Sequence, residues 1–145
     1  LWFFEISVNH FTGMLCEGIR HNTKLRTFKV AYNQLAGSLC GGWRRPKLQQ
    51  FILSGNRFSG TLIEAGATNL KVWMVDTNSF SGTLSDAIFS SLTLRYFLVQ
   101  DNFFQGALPV VASLPSVLFY DVSHNLLTGS IPQHVGAQPD FRVFM

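Results

Sequence analysis

Asn78-Ser79-Phe80-Ser81-Gly82-Thr83-Leu84 decides how this chain folds, because its spacing recurs along the whole sequence. An Asn stands at 9, 33, 56, 78, 102 and 125, with intervals of 24, 23, 22, 24 and 23 residues. Four residues after each Asn stands a Gly, at 13, 37, 60, 82, 106 and 129. Two residues after each Asn comes a large apolar side chain: Phe11, Leu35, Phe58, Phe80, Phe104 and Leu127. Upstream the pattern holds as well. Positions five and three before the Asn are apolar in every copy, from Phe4 and Ile6 to Tyr120 and Val122. Position eight before it is Leu1, Leu25, Leu48, Leu70, Leu94 or Val117.

A period near 23 with this many coincident positions marks stacked structural units rather than one irregular core. Apolar residues alternating ahead of the Asn predict a short strand with one buried face. The Asn side chain is expected to bond backbone groups left unpaired where the strand ends. The Gly is expected where a Cβ would obstruct the backbone. One coil cannot bury its apolar edge alone, whereas stacked coils bury a continuous core, and their strands then form one parallel sheet.

The template L-x-x-L-x-L-x-x-N-x-L-x-G-x-L resembles the leucine-rich repeat. Asn125-Leu-Leu-Thr-Gly-Ser-Ile-Pro132 resembles its plant-specific form, N-x-L-x-G-x-I-P, and Asn56 to Leu62 and Asn78 to Leu84 match with Phe for Leu. The resemblance implies the ectodomain of a plant leucine-rich-repeat receptor-like kinase or receptor-like protein. The expected fold is an α/β-type, right-handed, curved solenoid. Its parallel β-sheet lines the concave face, and its convex side carries loops, short 3-10 turns and short extra strands. Six repeats are read at about 1–24, 25–47, 48–69, 70–93, 94–116 and 117–140, with 141–145 opening a truncated seventh. Departures are few. The Pro of the plant motif is present at Pro109 and Pro132, but its slot holds Cys16, Cys40, Ile63 and Ser85 elsewhere. No capping Cys pair stands at either end, so the chain reads as an internal segment of a longer array.

Composition narrows the function. Hydrophobic residues make up 47% of the 145, and charged residues 13%, about half the usual share. No basic tract and no apolar run of spanning length occurs, so nucleic-acid binding and a membrane contact by this segment are not expected. No catalytic, cofactor or metal-binding motif is found. Asp121, Ser123 and His124 mimic a hydrolase set, but Ser123 and His124 should point to opposite sides of a strand. Cys16 and Cys40 share a slot on adjacent coils, near enough for a disulfide or for two neighbouring thiols. Eight of the eleven Lys and Arg residues lie between Arg20 and Arg57, which predicts a solvated basic ridge.

The concave face is the expected site. Residues six, four and two before each Asn should project from it, with the residue just before the Asn on its rim. That set includes Lys29, the one concave cation, and an apolar track across coils three to six. The ligand-binding candidates are Ile52, Val72, Met74, Asp76, Tyr96, Leu98, Gln100, Asp101, Phe119, Asp121 and Ser123. Asn9, Asn33, Asn56, Asn78, Asn102 and Asn125 form the structural ladder. A solvated sheet face is mostly polar, so this track predicts a partner, an extended peptide or a protein. The resemblance implies a membrane-anchored parent on the extracellular face of the plasma membrane, with a co-receptor and with a kinase domain outside this segment. Two rivals are a secreted, apoplastic inhibitor of cell-wall-degrading enzymes of the polygalacturonase-inhibiting type, and a structural or truncated repeat fragment without a ligand.

Overall fold

In the computed structural model, the described residues are 1–15, 22–39, 45–62, 66–109, 116–132 and 142–144. They build a β-solenoid with two parallel sheets. Seven strands form the first sheet: β1 (Phe3–Glu5), β3 (Thr27–Lys29), β5 (Gln50–Ile52), β7 (Val72–Met74), β9 (Tyr96–Leu98), β11 (Phe119–Asp121) and β13 (Arg142–Phe144). They lie side by side in chain order. Short extra strands make a second, six-stranded sheet: β2 (Thr12–Gly13), β4 (Gln34–Ser38), β6 (Arg57–Thr61), β8 (Ser79–Thr83), β10 (Phe103–Ala107) and β12 (Leu126–Thr128). Helical structure among the described residues is one 3-10 turn, Asp86–Ser90, capped by Ser85, whose hydroxyl accepts the Ala87 N–H at 3.2 Å.

Register in the first sheet follows the repeat without a slip. Phe28 pairs with Phe51, Phe51 with Trp73, Trp73 with Phe97 and Phe97 with Tyr120. Each central residue points inward and each flanking pair outward, the alternation that a pleated strand imposes. Inside, the rings stack coil on coil. Phe28 lies 6.0 Å from Phe51, and Phe51 lies 5.2 Å from Trp73. A second stack, Phe58–Phe80–Phe104, has centroids 6.1 and 6.3 Å apart. Leu25, Leu48, Leu70 and Leu94 close the core from the turn before each strand. Phe11 departs from the spine and is 49% exposed, because its coil has a neighbour on one side only.

The Asn ladder ties coils together through the backbone. Asn102 Nδ2 donates to the carbonyls of Val99 (3.2 Å) and Gln100 (3.1 Å) in its own coil and of Val75 (3.0 Å) in the coil before. Its Oδ1 accepts the N–H of Phe80 at 2.9 Å. Asn33, Asn56, Asn78 and Asn125 repeat this set. Asn9 makes the two local bonds, to Ile6 and Ser7 carbonyls. Backbone groups that a sheet edge would leave open are thus paired by side chains.

The bend itself lies one residue earlier than the sequence suggests. Val8, Tyr32, Thr77, Asp101 and His124, each directly before a ladder Asn, have φ between +50° and +57°. Left-handed backbone of this kind costs a non-Gly residue about 1 kcal/mol, and the paired Asn holds it in place. Gly82 is at φ +86°, beyond the range L side chains adopt, and its missing Cβ would stand 2.8 Å from Thr61 Cγ2. That is why the repeat accepts varied residues before the Asn and Gly alone four after it.

Candidate functional site

Strands of three residues leave little outward surface per coil, so the face of the first sheet is built by stacking. Ile52, Val72, Met74, Tyr96, Leu98 and Phe119 all lie on its solvent side, half-buried, in register on β5, β7, β9 and β11. The track is therefore contiguous. It ends on an aromatic pair: the Tyr96 and Phe119 rings lie 5.1 Å apart and 6° from parallel. Parallel register forces this stacking, since equivalent Cα positions repeat at the strand spacing of about 4.8 Å.

Charge is unevenly spread over the face. At one end Lys29 Nζ lies 3.7 Å from Glu5 Oε2, so that cation is matched. Beyond it, none of the outward positions on β5, β7, β9 and β11 is cationic, and the next strand, β13, places Arg142 in register with Phe119. Acidic groups lie at the far side of the track. Asp101 is exposed on the rim, 3.8 Å from His124 Nδ1. Asp121 Oδ1 accepts the Ser123 N–H at 3.0 Å and the Ser123 hydroxyl at 2.7 Å. Sequence neighbours are thereby divided: Ser123 serves Asp121, and His124 faces Asp101.

Asp76 is a correction to the expected site. It is 7% exposed, not projecting, and accepts the Ser54 hydroxyl, itself buried. Two residues before the Asn, the strand has already begun to turn inward, and neighbouring coils cover that slot. Burial pushes the Asp76 carboxyl above its usual range. Gln100 occupies the same slot one coil on, and its Oε1 is buried with no donor in reach. Ile52, Val72, Met74, Tyr96, Leu98, Asp101, Phe119, Asp121 and Ser123 share the solvent face or its rim; Asp76 and the Gln100 oxygen lie beneath it.

Two side chains escaped the reading of the sequence. Lys71 and Arg95, both exposed, directly precede β7 and β9 and so mark the strand-start margin of the face. Their signal is a fixed place seven residues before the Asn. Tyr32, one of the expected rim residues, is 60% exposed and lies over Gly55, where a Cβ would meet its ring at 2.5 Å. Cys16 and Cys40, Arg20 and Arg44 of the basic ridge, and Trp43 lie outside the described residues. Among the described residues, no cluster of three or more His, Cys, Asp or Glu side chains is arranged to hold a metal, and no helix is long and apolar enough to cross a membrane.

No family model matches the chain. Receptor-like protein 7 of Arabidopsis thaliana is 33% identical over 121 residues, which is 80% of this chain and 12% of that relative. The chain thus spans about an eighth of the length of the curated relatives it matches. Among solved structures, the plant peptide hormone receptor RGFR1 in complex with RGF2 superposes with a TM-score of 0.93 at 23% identity, over all of this chain and 24% of that one. The leucine-rich-repeat ectodomain of the Arabidopsis thaliana membrane receptor kinase GASSHO1/SCHENGEN3, in complex with CASPARIAN STRIP INTEGRITY FACTOR 2, superposes at 0.91 with 28% identity, over 99% of this chain and 18% of that one. With the repeat, the Asn ladder and these likenesses together, the chain is a leucine-rich-repeat solenoid of the plant-specific type, homologous to Arabidopsis receptor-like proteins.

Proposed function

We propose that this segment belongs to the ectodomain of a plant receptor and binds an extended peptide or a protein strand on the solvent face of its first sheet. One observation carries the reading: the contiguous half-buried track Ile52–Val72–Met74–Tyr96–Leu98–Phe119. Apolar side chains held half-open in register favour a ligand that crosses successive strands and puts one side chain against each coil. The peptide complexes formed by structurally similar ectodomains support the same direction, with a co-receptor as a second partner. Such a segment contributes recognition and no chemistry of its own. Its parent is membrane-anchored, with this solenoid on the extracellular side and signalling carried by other parts or partners.

Panning a phage-displayed random heptapeptide library against the whole 145-residue chain tests the reading. Selected peptides should lose binding to a Met74→Arg/Leu98→Arg variant whose melting is unchanged. Peptides that bind both forms equally, or no enrichment at all, would refute it.

A further inference from the structure

The turns that lead into the strands of the first sheet carry charge of one sign. Residue seven before each ladder Asn is bonded to its equivalent in the turn before. The Arg95 N–H donates to the Lys71 carbonyl at 2.8 Å, Lys71 to Gln49 at 2.8 Å and Gln49 to Arg26 at 2.7 Å. Equivalent side chains therefore repeat at the strand spacing of about 4.8 Å. Residue nine before the Asn makes a second row alongside, where Asn69 Nδ2 approaches the Pro46 carbonyl of the preceding turn at 3.5 Å. Over the turns into β3, β5, β7 and β9 the two rows hold Lys24 and Arg26, then Lys47, then Lys71, then Arg95, all exposed. Each turn thus supplies at least one cation. The remaining slots hold Gln49, Asn69 and Thr93, polar and uncharged.

We propose that this edge binds a linear acidic polysaccharide, a polyuronate chain that lies along the stack with one carboxylate against each coil. Unmatched charge is the first ground. None of the five cations makes an ion pair among the described residues, and Arg26 instead stacks on Trp2, its Cζ 5.6 Å from the ring centre. The described residues of these turns include no Asp or Glu; Glu17 and Glu64 lie outside the described residues. Lys71 and Arg95 stand side by side, so each disfavours the charge of the other, and an anion that spans both relieves the repulsion.

Spacing is the second ground. An extended acidic peptide presents same-side carboxylates every second residue, about 6.8 Å apart, and falls out of step with the coils. A uronate polymer carries one carboxylate per sugar ring, a step close to the coil repeat. Arg26 and Arg95 can fork onto such carboxylates, and the sugar hydroxyls meet the amides and hydroxyl of Gln49, Asn69 and Thr93. The row stops at the turn into β11, where Ser116 and Leu118 fill the two slots. It adjoins the apolar track on the sheet face but shares no residue with it, so this site stands or falls independently of peptide binding.

Fluorescence anisotropy of an end-labelled oligogalacturonate, titrated with the whole 145-residue chain, tests the site. Binding should be measurable at low salt and weaken as salt screens the row. A Lys71→Gln/Arg95→Gln variant with unchanged melting should bind about tenfold more weakly. Arg57→Gln, which removes an exposed cation of β6 outside the row, should leave binding unchanged. The fully methyl-esterified oligomer should not bind, and an oligoglutamate of equal charge should bind more weakly than the oligogalacturonate. No binding of the oligogalacturonate, an equal loss in Arg57→Gln, retained binding of the methyl ester, or equal affinity for oligoglutamate would overturn the proposal.

Discussion

The side-chain oxygen of Asn102 accepts the backbone N–H of Phe80, 22 residues upstream, at 2.9 Å. A single amide thereby joins two coils, since its nitrogen also reaches the Val75 carbonyl of the earlier coil at 3.0 Å. Asn102→Ala orphans a buried donor and shares in orphaning three carbonyls, and each such loss costs about 1–3 kcal/mol. The expected total is at least 3 kcal/mol, read by urea denaturation. Asn9→Ala removes two exposed local bonds and should cost under about 1 kcal/mol. Equal losses at the two sites would contradict the inter-coil role.

Phe80 is fully buried between the rings of Phe58 and Phe104. Phe80→Ala opens a cavity in the middle of the stack and should cost about 3–5 kcal/mol. Phe80→Leu, the residue that Leu35 and Leu127 supply in the equivalent slot, should cost under about 1.5 kcal/mol. Thermal melts of the two variants check the difference.

Backbone angles set opposite outcomes at two turn positions. Val8 is β-branched, exposed and at φ +57°. Asn tolerates that region better, so Val8→Asn should raise stability by about 0.5 kcal/mol. Gly82→Ala meets both φ +86° and Thr61 Cγ2 at 2.8 Å, and should lower it by about 1–3 kcal/mol. A neutral Gly82→Ala would show that the stack on Thr61 yields easily.

Asp76 makes stability depend on pH in a stated direction. Its carboxyl is raised by burial, with the neighbouring Asp101 charge adding in the same sense and the Ser54 hydroxyl opposing. The folded state therefore holds the proton to higher pH than the unfolded chain does. Its contribution is most favourable in acid and falls as pH rises through the carboxylate range. Asp76→Asn keeps an acceptor for Ser54 and should melt higher than the unaltered chain at pH 7. That gap should narrow as pH falls toward 4. A constant gap from pH 4 to 7 would argue against titration of this group.

Much of the site was readable because the repeat carries it. Knowing that residues six and four before each Asn face outward was enough to find Ile52, Val72, Met74, Tyr96, Leu98, Phe119 and Asp121. The same rule failed two residues before the Asn. There the chain is leaving the strand, so Asp76 and Ser54 turn into the space between coils and bond one another. Periodicity assigns a slot its average direction and cannot see the bend within it. The left-handed residue before each Asn was equally hidden, because Val, Tyr, Thr, Asp and His share no propensity for that conformation.

By itself, the sequence determined the solenoid, the order of its strands, its stacked core and the Asn that stitches each coil. A 23-residue period leaves in-register stacking as the one way to bury every apolar slot at once. Tertiary structure decided what the slots do to each other. The parallel Tyr96–Phe119 pair, the burial of Asp76 against Ser54 and the margin set by Lys71 and Arg95 all arise between coils. Such relations depend on distances of a few ångströms between residues more than 20 positions apart, and no single repeat contains them.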